Sequence, residues 1–463
     1  MYRVTWKRET VAPAAPTEGV GETLEAFALA VPPEPVGSTA APGAPEAVRP
    51  GGWAQVFIDS SEAAEALRRR LLESPGVLAA EIQGRPATPG RFGRAAPVDQ
   101  PLLDAARDVA RRRVHDTAAV AVAGGVAGQA VTTPDYSPTQ HYLGPDGLDV
   151  AFALGRTGLR GEQIGLVDIE IGWNPRHEDL VGRGLGHVHG PALDDDHGTA
   201  VAGIVGGEDN SLGVIGIASR VRIGTASIGN DPDHWDIPAA VIAARQELET
   251  GDVLLLELQA GGPRWNGVTD IGMLPVEFWS TEFDEIRQTV DKGVYVVAAA
   301  GNGSQDLDDP LYQNRFDQSV RDSGAILVGA GASVFADHPR SRLDFSNFGS
   351  RLDVQGWGEA VVTSGGRSEP GYHDLSGPVA ASLCYTRTFA GTSSAVAMVA
   401  GLVAVIASSV RAAGREVLTS AQMRALLIHS GAGREQRDGP AGPATERIGP
   451  LPSLREALRA LGL

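Results

Sequence analysis

The sequence predicts an α/β fold in which a mostly parallel central sheet is covered by helices on both faces, preceded by a small α+β region at the N-terminal end. Three observations predict it. Short, continuously apolar runs recur at residues 164–169, 253–258, 294–299 and 325–329, as expected of strands buried on both faces. Helix-compatible stretches lie among and after them: a small-residue stretch starting at His197, then residues 395–410 and 420–429. Finally, 59 Gly and 30 Pro among 463 residues supply the many tight connections an alternating fold requires.

Composition narrows the function. Hydrophobic residues make up 42% of the chain, enough for a sizeable core. The net charge of -18, from 57 acidic against 39 basic residues, argues against a nucleic-acid partner, whose phosphates are met by Lys and Arg. The single cysteine, Cys384, excludes an intrachain disulfide. The first ten residues lack the apolar centre of a signal peptide, and no apolar run is read as approaching the roughly 20 residues that span a bilayer. A cytoplasmic protein with no membrane partner is the expectation.

Taken in order, residues 1–50 read as a flexible Pro/Ala/Gly-rich segment. Residues 51–95 read as a small βαβ unit. Its strand at 53–58 alternates, Ser60 and Ser61 offer a cap, and Ala64, Leu67, Leu71 and Leu72 share one helical face. Pro75 and Gly76 break that helix before a second strand at 77–82. Residues 96–134 read as a linker with a basic amphipathic helix at 102–115, whose charges suit a solvated face. The large domain takes residues 135–463.

Four segments of the large domain carry chemistry. A buried strand ends in Asp168 and Glu170, where α/β enzymes build their sites. Side chains two apart on a strand project to the same side, roughly 6–7 Å from one another, so either carboxylate suits a shared partner. His197 opens a small-faced helix in Asp196-His197-Gly198-Thr199. Ala298-Ala299-Ala300-Gly301-Asn302 delivers an amide side chain from a strand end. Gly391-Thr392-Ser393-Ser394-Ala395 puts a serine at a helix N-terminus, where backbone N–H groups favour a developing negative charge.

Acid, histidine and serine in that chain order, with these local motifs, resemble the subtilisin-like serine proteases, the subtilases. The resemblance rests on H-G-T-x-V-A-G at His197 to Gly203, A-A-A-G-N at Ala298 to Asn302, and G-T-S-x-A followed by V-A-G up to Gly401. Fainter echoes are His177-Glu178-Asp179-Leu180 and Leu343-Asp344-Phe345-Ser346-Asn347-Phe348-Gly349. It implies a serine endopeptidase acting on proteins or peptides, with Ser393 rather than Ser394 as nucleophile, His197 as general base and Asn302 as oxyanion donor. It further implies that Leu258, Gln259, Ala299 and Gly301 bind an extended substrate. The unit at 51–95 is similar in layout to subtilase propeptides. No cofactor is required, and a structural calcium ion is the one metal the resemblance suggests, at Asp306, Asp308 and Asp309.

The chain departs from the family at the acid. Counting back from His177 aligns Glu170 without a gap, whereas aligning Asp168 needs an insertion, so Asp168 and Glu170 both stand as candidates. Glu257-Leu258-Gln259 occupies the place of the usual Ser-Leu-Gly, and Ala397 that of a usual Pro. These departures leave a second expectation, a catalytically silent subtilase fold serving as a peptide-binding or regulatory module.

Overall fold

The computed structural model describes residues 2–8, 53–92 and 133–463, with interruptions at 75, 89, 184–185, 232–233 and 378. It divides into two compact units, Met1–Gln83 and Gly84–Leu463.

In the first unit, β1 (Tyr2–Arg8) pairs antiparallel with β2 (Trp53–Ile58) and lies between β2 and β3 (Val77–Gly84). Helix α1 (Ser61–Leu72) starts where expected, because the Ser60 hydroxyl accepts from the Ala63 N–H at 3.1 Å. Val4, Trp6, Ala54, Ala64, Leu71 and Ala80 form its core. The reading of 1–50 as one flexible segment is therefore corrected at its start: Tyr2–Arg8 is the central strand, and its partner lies too far along the chain for any local pattern to announce it. The remainder of that segment, the basic helix at 102–115 and nearly all of the linker lie outside the described residues.

The second unit opens with β4 (Pro86–Ala87) and β5 (Gly90–Phe92). There follow β6 (Gly165–Glu170), β7 (Gly186–His189), α2 (His197–Gly206), β8 (Arg222–Ser227) and a ribbon of β9 (Gly229–Asp231) with β10 (His234–Trp235). Next come α3 (Ile237–Glu247), β11 (Val253–Leu256), β12 (Gln259–Gly261), β13 (Met273–Pro275), α4 (Ser280–Asp291) and β14 (Tyr295–Ala299). The chain closes through β15 (Ile326–Gly331), β16 (Val354–Trp357), β17 (Val361–Ser364), β18 (Tyr385–Gly391), α5 (Thr392–Ala412), α6 (Ser420–Ser430) and α7 (Leu454–Leu461).

Seven strands form one parallel sheet in the order β16-β15-β14-β11-β6-β8-β7. From β6 the chain builds outward to β7 and β8, then returns to place β11 on the other side of β6. That reversal is the topological switch point, and the crevice beyond the C-terminal strand ends there is where open α/β sheets bind ligands. Glu170 ends β6, and Glu257 follows β11 directly. Helices α2 and α5 share one large core with inward residues of β6, β11, β14, β15 and β16, while α3 and α4 pack together against β6 to β8 and β14.

Helix α5 revises one expectation. It has 21 residues and contains a window of mean hydropathy 2.0, long and apolar enough to cross a membrane. All of that window is buried inside the protein, so the helix serves as the axis of the core. Each fully buried Val or Leu on it contributes about 1.5–3 kcal/mol.

Candidate active site

Ser393 occupies the first turn of α5 behind Gly391, which adopts φ 98°, a left-handed backbone that favours glycine. This turn joins β18 to the helix, whose first N–H groups have no partner within the helix itself. The neighbouring Ser394 hydroxyl donates to the carbonyls of Trp357 and Gly391, at 2.8 and 3.0 Å. Its hydrogen is thus committed to backbone, whereas the Ser393 hydroxyl meets Nε2 of His197 at 3.0 Å.

His197 is the first residue of α2, buried, with the Phe389 ring edge-on at 5.4 Å. Its Nδ1 is hydrogen-bonded to Oε2 of Glu170. A Cβ on Gly198 would fall 1.8 Å from Oε1 of Glu170 and 2.4 Å from the Gly172 carbonyl oxygen. Only glycine there lets the helix start approach the end of β6 so closely.

The two candidate acids separate. Glu170 takes the imidazole, while Asp168 accepts the Trp173 indole N–H at 2.7 Å. Both project to the same side as anticipated, and each keeps one buried oxygen without a hydrogen-bond partner among the described residues. Burial pushes both carboxyls well above their usual range, with Glu170 adding to the effect on Asp168 and Asp194 adding to that on Glu170. Burial also lowers His197 to about 4, against the opposing pull of Asp168 and Asp194.

Asn302 follows β14 beyond Gly301. Its Oδ1 accepts from the backbone N–H of Thr392 at 3.0 Å and from the Thr392 hydroxyl at 3.1 Å. Because a backbone N–H can only donate, this contact assigns the amide oxygen to Thr392 and leaves the Nδ2 end as the other face of the group. The Asn302 N–H donates to Oε1 of Gln259 at 2.7 Å, tying β12 to the same corner. Asn347 braces that corner by donating through Nδ2 to the Ala300 and Met273 carbonyls, at 2.7 and 3.0 Å. Ala299 ends β14, and Leu258 and Gln259 are buried at the start of the β12 edge.

The short strands β4 and β5 were not legible in the sequence. Pro86 and Ala87 pair antiparallel with Ala260 and Gln259 of β12, and Gly90, Arg91 and Phe92 pair with Gly391, Ala390 and Phe389 of β18. One stretch of chain thus runs along both strands that lead into the site, β12 toward Asn302 and β18 toward Ser393.

Two other sequence features resolve as supports. His177 is buried, its Nε2 2.8 Å from the Cys384 carbonyl oxygen and its ring edge-on to Tyr385, and burial holds it at about 4. In the expected calcium loop Asp309 pairs with Arg264 at 2.7 Å, Asp308 accepts from the Ser350 N–H and hydroxyl, and Asp306 accepts from the Asp308 N–H.

A serine at one helix start, a histidine at a second and a carboxylate at the switch point of a parallel sheet thus meet in one hydrogen-bonded row. The subtilase family sequence model matches residues 187–446, a span that holds His197, Asn302 and Ser393 and begins after Asp168 and Glu170. The chain belongs to the subtilase family and is a serine endopeptidase. It is 30% identical to subtilisin DY of Bacillus licheniformis over 216 residues, covering 45% of this chain and 69% of that protein. It is 25% identical to an intracellular serine protease of Paenibacillus polymyxa over 288 residues, covering 58% and 74%. Among solved structures it is similar in fold to fervidolysin, a keratinolytic enzyme from Fervidobacterium pennivorans, with a TM-score of 0.55 and 17% identity over 88% of this chain and 56% of that one.

Proposed function

We propose that the enzyme hydrolyses peptide bonds through an acyl-enzyme on Ser393, with His197 as general base, Glu170 as the carboxylate that orients it and Asn302 as oxyanion donor. The observation that carries this reading is the continuous relay from Glu170 through His197 to Ser393, closing at 3.0 Å between Nε2 and Oγ. With its Nδ1–H held by Glu170, a neutral His197 turns the lone pair of Nε2 toward Ser393. As Oγ bonds to the substrate carbonyl carbon, its proton passes to Nε2 and the C=O electron pair moves onto oxygen, where the Asn302 amide stabilises it. Collapse breaks the C–N bond, and the leaving amine takes the proton from Nε2. Water then attacks the acyl-enzyme through the same base, releasing the acid and restoring Ser393.

The substrate is an extended protein or peptide added as a strand to β12, past Leu258, Gln259, Ala299 and Gly301. The pairing of β4 with β12 and of β5 with β18 supports this path. In this reading the propeptide-like role expected of residues 51–95 falls on their last stretch, which lies where substrate would. The chemistry requires no cofactor, and the intracellular setting in the name of the Paenibacillus relative agrees with a cytoplasmic enzyme.

Stopped-flow mixing with a 4-nitrophenyl ester tests the acyl-enzyme. A burst of nitrophenol stoichiometric with enzyme supports it, and undiminished turnover in Ser393→Ala overturns it.

A further inference from the structure

Three carboxyl groups, rather than one, crowd the proposed relay. Glu257 leaves the C-terminal end of β11, its N–H donating to the Ile169 carbonyl at 3.1 Å. Leu256 pairs with Ile169 and Leu255 with Asp168, so the parallel register sets Glu257 beside Glu170 on the adjoining strand. It is fully buried, and among the described residues neither of its carboxyl oxygens has a hydrogen-bond partner of normal geometry. Its surroundings are Asp168 and Glu170 from β6 and the Ser393 hydroxyl from α5, with His197 of α2 and Asp194 facing the β6 acids in turn.

Three buried carboxylates this close cannot all be ionised, because each unpaired charge bears its own desolvation cost and repels the others. Glu170 has His197 as donor and Asp168 has the Trp173 indole. Glu257 has only the Ser393 hydroxyl as a donor, and burial, with Asp168 and Glu170 adding to it, pushes its carboxyl well above the usual range against that one opposing contact. It is accordingly the group that stays protonated.

The two forms of Glu257 have opposite effects on the neighbouring nucleophile. A neutral carboxyl carries an O–H donor, and a serine hydroxyl carries one hydrogen and two lone pairs. Donating to a Ser393 lone pair leaves the Ser393 hydrogen for Nε2 of His197. An ionised carboxylate accepts only, and competes with His197 for that hydrogen.

We propose that Glu257, as the neutral acid, is a positioning residue that keeps the Ser393 hydroxyl hydrogen directed at His197, and that its ionisation sets the alkaline limit of catalysis. This rests on the acyl-transfer reading above. The test is the pH profile of kcat/KM for the full chain and for Glu257→Gln and Glu257→Ala, with far-ultraviolet circular dichroism to establish folding. Glu257→Ala should lower kcat about tenfold with KM within about twofold. Glu257→Gln, a permanently neutral donor of the same shape, should recover most of that loss and lack the alkaline fall seen in the wild type.

An alkaline limb in Glu257→Gln identical to that of the wild type overturns the proposal. So does a folded Glu257→Gln without activity at any pH, because a neutral donor of the same shape would then fail to replace the carboxyl. If Glu257→Ala does not fold, the wild-type and Gln profiles decide alone. Ser393→Ala measured alongside keeps the two failures apart: retained activity there sinks the acyl-enzyme reading, whereas loss of activity there with an unaltered limb in Glu257→Gln sinks only the role of Glu257.

Discussion

Glu170 holds Nδ1 of His197, and Asp168, one pleat back on the same strand, holds Trp173 instead. Two acids that project to one side of β6 thus have different partners. Glu170→Gln replaces the acceptor of the Nδ1 hydrogen with a group that can also donate, which admits the wrong tautomer. It should lower kcat by two to four orders of magnitude, on the scale of about 10⁴ for the equivalent change in another serine protease. Asp168→Asn keeps an acceptor for the indole and should leave kcat within about tenfold. Steady-state kinetics on both variants decides, and equal losses would contradict the division of roles.

The Asn302 amide is fixed at its oxygen end by Thr392, which leaves its nitrogen end as the donor that the proposed mechanism calls on. Asn302→Ala should reduce kcat by roughly 10²–10³ with little change in KM, a magnitude borrowed from subtilisin, the reference case for such a donor and a relative of this chain. A rise in KM at constant kcat would instead mark a ground-state contact.

Burial lowers His197 to about 4, and the base works only when neutral. The acid limb of kcat/KM should therefore fall as pH drops through about 4, rather than through the 6.5 of an ordinary histidine. The same sign holds for stability: an unfolded histidine takes up its proton near 6.5, so the contributions of His197 and His177, the latter also near 4, are present above 6.5 and lost as pH falls toward 4. A pH-rate profile on a neutral substrate checks the first statement; an acid limb near 6.5 would contradict it.

Ala87 lies opposite Gln259 in the pairing of β4 with β12. Proline at that position lacks an N–H and weakens an added strand. If the stretch competes with substrate, Ala87→Pro should raise kcat/KM for an extended peptide several-fold, chiefly through KM, with no gain for a small ester that does not need β12. Unchanged peptide kinetics in a folded variant would show that the stretch does not compete.

Much of this architecture was legible because its signals are local. Continuous apolar runs marked β6, β11, β14 and β15, and three motifs marked His197, Asn302 and Ser393 because a helix start or strand end fixes each of them. The choice between Asp168 and Glu170 was not legible from strand periodicity, which puts both on one side. It depends on how closely α2 approaches, and that is set by the missing Cβ of Gly198. Glu257 acquires its neighbours only through the register of β11 against β6, a non-local pairing. The same holds for β1, whose partner β2 is far along the chain, and for β4 and β5, which are too short to carry a strand pattern and were read as βαβ flank and linker.

The central claim is that Ser393 is the activated nucleophile. Reaction of the full chain with a fluorophosphonate, followed by peptide mass mapping, tests it most directly. One adduct per chain on Ser393, absent in Ser393→Ala and strongly slowed in Glu170→Gln, is the predicted result. A folded protein that stays unlabelled both as the wild type and as Ala87→Pro, or an adduct on Ser394, would contradict it.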